Sequence, residues 1–272
     1  GPEAGRQGSA GGRKGELGLV LGGSMEWLKL PDNGSQPSGV TGSSCVGIGK
    51  SLWVFGGSSE DEEGGHAFSS DLYEYNTETG FWTKRAPSPL QPCARAGHCI
   101  VAAGGSFYVL CGWTITDSES VFLNDVFVYD TADSIWSPVR TAGPSPVGRV
   151  HAAACYSRGQ VYLFGGCNGN VASSFRNDMM VLSLETLTWM HCAPTTSVPA
   201  GRSQHSMVST GGLLYVFGGS NLRNGAKNQL GDLVTFQPAT RAWCHVETQG
   251  GRAPEPRSGH AMCSVAGGIF VF

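Results

Sequence analysis

Charge is scarce in this sequence. Its 272 residues hold 18 Lys and Arg against 21 Asp and Glu, a net charge of −3. That balance argues against a nucleic-acid platform, which shows a marked basic excess. Long apolar runs are missing too. The longest are about five or six residues, far short of the roughly 20 that a membrane helix needs. The nine cysteines are an odd number with no CxxC spacing, so neither a paired disulfide framework nor a zinc ribbon is indicated. Several of them (Cys99, Cys155, Cys263) fall inside apolar strand patterns, where a free thiol behaves as a small buried hydrophobe. They read as reduced structural thiols of a cytoplasmic or nuclear protein. The sequon Asn33-Gly34-Ser35 keeps a secreted reading open. HExxH, GxSxG and a GxGxxG set between strand and helix are all absent. Gly49-Lys50-Ser51 imitates the end of a phosphate loop, but Ser44 stands where that loop needs glycine and a strand follows where a helix should. A hairpin turn is the expectation there, because phosphate cradling uses a helix N-terminus.

What is abundant is turn chemistry, 41 Gly and 14 Pro, and it is periodic. Trp27, Trp82, Trp136, Trp189 and Trp243 lie 55, 54, 53 and 54 residues apart. Asp71, Asp125, Asp178 and Asp232 keep the same beat. So do the doublets that end the apolar runs at Gly56-Gly57, Cys111-Gly112, Gly165-Gly166 and Gly218-Gly219. Arg95, Arg149 and Arg202 each precede the second doublet glycine by 17 residues. A shared period of this length signals a repeat architecture. Each unit reads as four short strands, a to d, broken by turns: a after the Arg-His pair, b ending at the doublet, c after the Asp, d carrying the Trp. Four antiparallel strands per unit make one blade of an all-β propeller.

The Arg-x-x-His pair, the Tyr-Val-Phe-Gly-Gly run, Asn-Asp before strand c and Tyr-Asp-Thr leading to Trp136 resemble kelch repeats. The Pro-rich connections before Arg149 and Arg257 are similar to those of host-cell-factor and Rab9-effector kelch proteins more than to BTB-kelch adaptors. The resemblance implies a fragment of a six-bladed ring: about four complete blades, with partial blades at both ends. Residues 1–23 read as a disordered Gly-rich leader, 24–272 as the propeller, with units at about 40–92, 93–146, 147–199 and 200–254 and a partial one at 255–272. In the third unit His151 follows Arg149 one residue early and the next turn is one residue longer, which suggests a local bulge or shifted turn.

The periodic polar residues carry structure before chemistry. His98, His151, His205 and His260 recur once per blade, so they spread around a ring and cannot converge on one metal. Hydrogen bonds fixing strand a are their expected role, and the arginines are expected to hold carbonyls or the repeating Asp. No metal, cofactor or catalytic residue is expected. Strand direction sends the b–c and d–a connections to one face, where long dissimilar loops are the usual seat of recognition. The candidates on them are Glu60, Asp61 and Glu62 in an acidic first loop, Trp113 and Asp117 in the second, Asn168 and Asn170 in the third, and Arg223, Asn224 and Lys227 in the fourth. Trp113 is either an exposed anchor or the core of its own loop. The expected function is a non-catalytic protein-binding scaffold within a longer chain, with neither nucleic acid nor membrane as partner. A small-molecule or enzyme site of galactose-oxidase or nitrile-specifier type is the second reading.

Overall fold

The computed structural model describes residues 17–21, 24–60, 65–247 and 253–272. It is an all-β propeller in which every complete blade has the antiparallel strand order a-b-c-d, with a short fifth strand, Asn33–Gly34, added parallel to strand d in blade 1. Blade 1 uses Ser44–Ile48, Ser51–Phe55, Leu72–Asn76 and Phe81–Lys84. Blade 2 uses Cys99–Ala103, Ser106–Leu110, Val126–Asp130 and Ile135–Pro138, and blade 3 Ala153–Ser157, Gln160–Phe164, Met179–Ser183 and Thr188–His191. Blade 4 uses Ser206–Thr210, Leu213–Phe217, Leu233–Gln237 and Ala242–His245, and strands a and b of a fifth are Met262–Val265 and Gly268–Val271. Strands a pack beside one another from blade to blade and so line the centre. Gly49-Lys50 is the two-residue turn between strands a and b of blade 1, with Gly49 at φ +58°.

The b and c strands are sandwiched between blades, which is why Val161–Phe164 and Met179–Leu182 are unbroken apolar runs buried on both sides. Tryptophan fills the wedge between blades. Trp136 of blade 2 packs 5.2 Å from Phe55 of blade 1 and 4.9 Å from its own Tyr129; Trp243 of blade 4 packs 4.7 Å from Phe164 of blade 3. Such aromatic contacts add to the area they bury.

A repeated clamp sets the blade spacing. Arg149 donates two parallel bonds to Asp178 (2.8 Å each) and a third to the Gly165 carbonyl, all within blade 3. Its backbone belongs to the neighbour: its N–H donates to the Leu123 carbonyl and its own carbonyl accepts from Gly112 N–H, both of blade 2. Arg95 with Asp125 and Arg202 with Asp232 repeat the arrangement. The three guanidinium groups are fully buried, and bidentate carboxylate contact is what makes burying them tolerable. Blade 1 has Val40 at the arginine's place; its Asp71 pairs with the exposed Lys84 at 2.7 Å instead, which raises the Lys84 pKa through that hydrogen bond.

The sequence expectations need three corrections here. Leu17–Leu21 is a strand paired with Ser24–Leu28, so apolar residues at the end of the presumed leader are built into a hairpin. The third unit holds neither bulge nor shifted turn: Ala153↔Phe164, Cys99↔Leu110 and Ser206↔Phe217 are equivalent pairs and each a–b turn has two residues. Blade 3 therefore has Ala152 where blades 2, 4 and 5 have histidine (blade 1 has Ser43), and His151 occupies the position before it. The strand histidines are held less firmly by hydrogen bonds than expected. Neither ring nitrogen of buried His98 and His205 or of half-buried His260 has a partner of ordinary geometry, although the backbone of Phe55, Phe164 and Phe217 in the preceding blade lies near enough to act on each ring as an acceptor; the rings stand edge-on to the side chains of the same three residues. Burial first, and the neighbouring arginine second, pushes His98 and His205 down to about 3, so both rings are neutral.

Candidate functional site

The b–c connections project from one face as the strand directions require. Three of them are hairpins: Ser58–Glu60 with His66–Phe68, Trp113–Thr116 with Glu119–Phe122, and Ser220–Arg223 with Ala226–Gln229. Two of their turns have both central residues at positive φ, Asp117-Ser118 (+51°, +66°) and Asn224-Gly225 (+53°, +77°), the type I′ geometry that suits strand twist. Asp117 and Asn224 thus make turns, and Asn224-Gly225 is a hairpin signal that can be recognised in the sequence. Blade 3 differs. Its connection carries only a short 3-10 turn, Ala172–Ser174, held by the Ser174 hydroxyl on the Gly169 and Val171 carbonyls. A trough of about 600 Å³ consequently opens between the hairpins of blades 2 and 4.

Trp113, Asn170 and Lys227 share that trough with Phe122, Leu222 and His151. Asn168 is half-buried within its own loop. Arg223 does not stand beside Lys227. Leu222 is opposite Lys227 and Arg223 opposite Ala226, and neighbouring residues of a strand point to opposite faces. Only Lys227 faces the trough. Glu60 is exposed at the end of the first hairpin, opposite His66; Asp61 and Glu62 lie outside the described residues. Trp113 is half-buried, edge-on to Phe68 at 4.9 Å and 5.4 Å from His66. It joins the hairpins of blades 1 and 2 and is not a free anchor.

The centre of the face is organised by a belt that sequence reading did not find. Gly97 N–H donates to the Gly42 carbonyl, His151 to Gly97, Gln204 to His151 and Gly259 to Gln204, all at 2.8–2.9 Å. Each belt member has positive φ, between +55° and +71°, which glycine adopts freely. His151 and Gln204 adopt it at a cost on the order of 1 kcal/mol each. Gly97 is needed beside His151, because a Cβ there would lie 2.9 Å from the imidazole and 2.3 Å from Val150. The sequence signal was the early His151 itself. Burial lowers the His151 pKa. Among the described residues no three His, Cys, Asp or Glu side chains gather as a metal site.

One junction below this face is also chemically different. The first doublet glycine of each other blade faces a histidine of the next: an added Cβ would lie 2.9 Å from His98 at Gly56, 2.7 Å from His205 at Gly165 and 3.0 Å from His260 at Gly218. At the junction of blades 2 and 3 the pair is Cys111 and Ala152. Cys111 keeps the positive φ (+61°) and packs into the core cluster against which Ala152 rests. Burial pushes its thiol up to about 12, so it is an inert filler.

Architecture, clamp and repeat define a kelch propeller, and comparison with known proteins agrees. The family model for the KLHDC2/KLHL20/DRC7 Kelch-repeats domain matches residues 8–166 and 63–272; the chain belongs to this kelch-repeat family. It is similar to Kelch domain-containing protein 3 of Homo sapiens and of Bos taurus, 28% identical over 263 residues, which are 92% of this chain and 66% of either relative. It is also 30% identical over 200 residues to Kelch domain-containing protein 10 of Homo sapiens, covering 71% of this chain and 43% of the relative. The chain thus spans 66% of the length of the first of these relatives.

Proposed function

We propose that this chain is a non-catalytic protein-interaction module that binds its partner through the face built by the b–c and d–a connections. One observation carries the reading. The repeated polar side chains are used up inside the framework, as clamps or buried rings, whereas the connections on this one face differ in shape, length and charge. Rigid scaffold beneath dissimilar loops is the usual build of a recognition surface. Exposed Ile115 and Val171 on these connections supply apolar contact area, and Lys227 a charge at the trough wall. The nine free thiols support a reducing compartment, the cytoplasm, as the place of action.

The test isolates a partner by affinity capture on this chain from its source cells and then measures binding kinetics with purified components. Ile115→Asp is expected to weaken binding by about tenfold or more, as loss of a buried apolar contact does. Lys227→Glu acts mainly on association rate, with an effect that fades as salt rises. Lys50→Glu and Arg158→Glu, on the a–b turns of the opposite face, leave binding unchanged. Sensitivity of the opposite turns with indifference of these loops would refute the reading.

A further inference from the structure

We propose that the mouth of the central channel is a binding site for a neutral polyhydroxylated molecule, with His151 and Gln204 as its contact residues and a hexose ring as the unit it accepts. The mouth is a cavity of about 500 Å³ walled by Trp113 and His66 on one side and by the belt on the other. Its chemistry is distinctive in what it holds together. Among the described residues no Asp, Glu, Lys or Arg lines it, so a charged ligand would give up hydration without meeting a counter-charge among them.

The polar groups that do line it are of one kind. The Gln204 amide, the His151 imidazole (neutral, its pKa lowered by burial) and the Ser43 hydroxyl are each donor and acceptor at once. Sugar hydroxyls have the same dual character. None of these three side chains makes a hydrogen bond with another described residue, whereas Ser44 beside them is committed to the His98 carbonyl at 2.7 Å. The half-buried indole of Trp113 adds an apolar flat surface, the complement of the apolar face of a sugar ring.

The backbone supplies an independent reason to regard the two belt side chains as selected for function. The belt accepts glycine at three of its five places, Gly42, Gly97 and Gly259, and all five residues hold positive φ. Non-glycine residues kept in such a conformation, where glycine serves as well, point to a job done by the side chain. Both project at the mouth, and both also border the neighbouring trough. The hexose can arrive free in solution or as the terminal unit of a glycan on a partner; the contacts are the same.

Saturation-transfer NMR of the chain with glucose, galactose and mannose, each at millimolar concentration, tests the site, with glucuronate and glucosamine as charged counterparts. A neutral hexose is expected to bind and the charged ones to bind about tenfold more weakly or worse. Gln204→Gly and His151→Gly should each weaken binding by about fivefold or more while leaving the melting temperature unchanged or raised, since glycine relieves the positive φ. Capture of a high-mannose glycoprotein against its deglycosylated form assigns the source: dependence on the glycan puts the ligand on a partner, and free-hexose binding alone puts it in solution. Absence of both kinds of binding, binding indifferent to the two glycine variants, or equal binding of the charged sugars would overturn the proposal.

Discussion

Exchanging the Cys111–Ala152 pair for the Gly–His pair of the other junctions probes how consecutive blades fit. Three proteins are needed beside the parent: Cys111→Gly, Ala152→His and the double variant. Ala152→His alone drives an imidazole toward a thiol that already fills the space, since even a bare Cβ at the equivalent glycines would lie 2.7–3.0 Å from the ring. Overpacking of that kind costs about 1–3 kcal/mol. Cys111→Gly alone relieves a positive φ of +61°, worth about 1 kcal/mol. It also empties a buried site and adds glycine's chain entropy, which together cost about as much or somewhat more. In the double variant the ring enters the space left by the thiol and packs against Leu110, which stands where Phe55 stands against His98. The two changes should therefore couple by about 2 kcal/mol in the stabilising direction, within the range for residues in direct contact. Urea midpoints at constant m-value, taken at pH 7.5 to keep the histidine neutral, measure the cycle. Additivity within about 0.5 kcal/mol would show that the two departures from the repeat are unrelated.

Two further outcomes follow from the clamps and the buried rings. Asp232→Ala leaves the fully buried Arg202 guanidinium without its carboxylate and should cost about 3 kcal/mol, whereas Asp71→Ala, whose partner Lys84 is exposed, should cost less than about 1 kcal/mol; equal losses in chemical denaturation would mean the buried clamps contribute no more than a surface pair. His98 and His205, held down to about 3 when folded against about 6.5 when unfolded, take up protons only on unfolding. Their contribution is whole above pH 6.5 and is lost as pH falls from there toward 3, by up to about 1.4 kcal/mol per pH unit for each ring. Urea midpoints at pH 7.5 and 5.5 should fall less for His205→Gln than for the parent, and an identical fall in both would place the acid sensitivity elsewhere.

The blade pattern could be read from the sequence because each of its landmarks answers a local demand repeated at one period. Trp136 needs a wedge, Asp125 needs its arginine, and Gly57 needs a conformation that other residues avoid; none depends on what the loops do. The b–c hairpins were less legible for a physical reason. Thr114, Ile115, Val121 and Phe122 carry strand-forming residues, but short exposed ladders lack the buried face that makes alternation plain. Asn224-Gly225 was the strongest local clue, and treating Asn224 as a surface contact passed over it. Arg223 and Lys227 look paired in sequence because both are basic, yet the ladder sets them on opposite faces. His151 was misread as a slipped Arg-His pair because the position before the strand histidine is glycine in blades 2 and 5 (Gly97 and Gly259), and glycine gives no side chain by which to recognise a belt.

The clamp explains why this face can vary at so little cost to the fold. Between blades 2 and 3 the attachment runs through Arg149: two backbone bonds to blade 2 and a side chain locked to Asp178 in blade 3. All of these contacts lie beneath the hairpins. A change in the Trp113–Phe122 hairpin therefore leaves the junction intact, and a hairpin can be shortened to the 3-10 turn of blade 3 while strands a to d keep their register. The exception is Trp113, whose edge-on contact with Phe68 ties two hairpins together above the framework. A ligand touching either hairpin is thereby felt by both, whereas the low loop of blade 3 and the belt residues His151 and Gln204 lie open beside them. The recognition proposed for this face would thus divide between a coupled pair of hairpins over blades 1 and 2 and a central mouth whose described lining carries no Asp, Glu, Lys or Arg, so that substitutions could alter one without rebuilding the other.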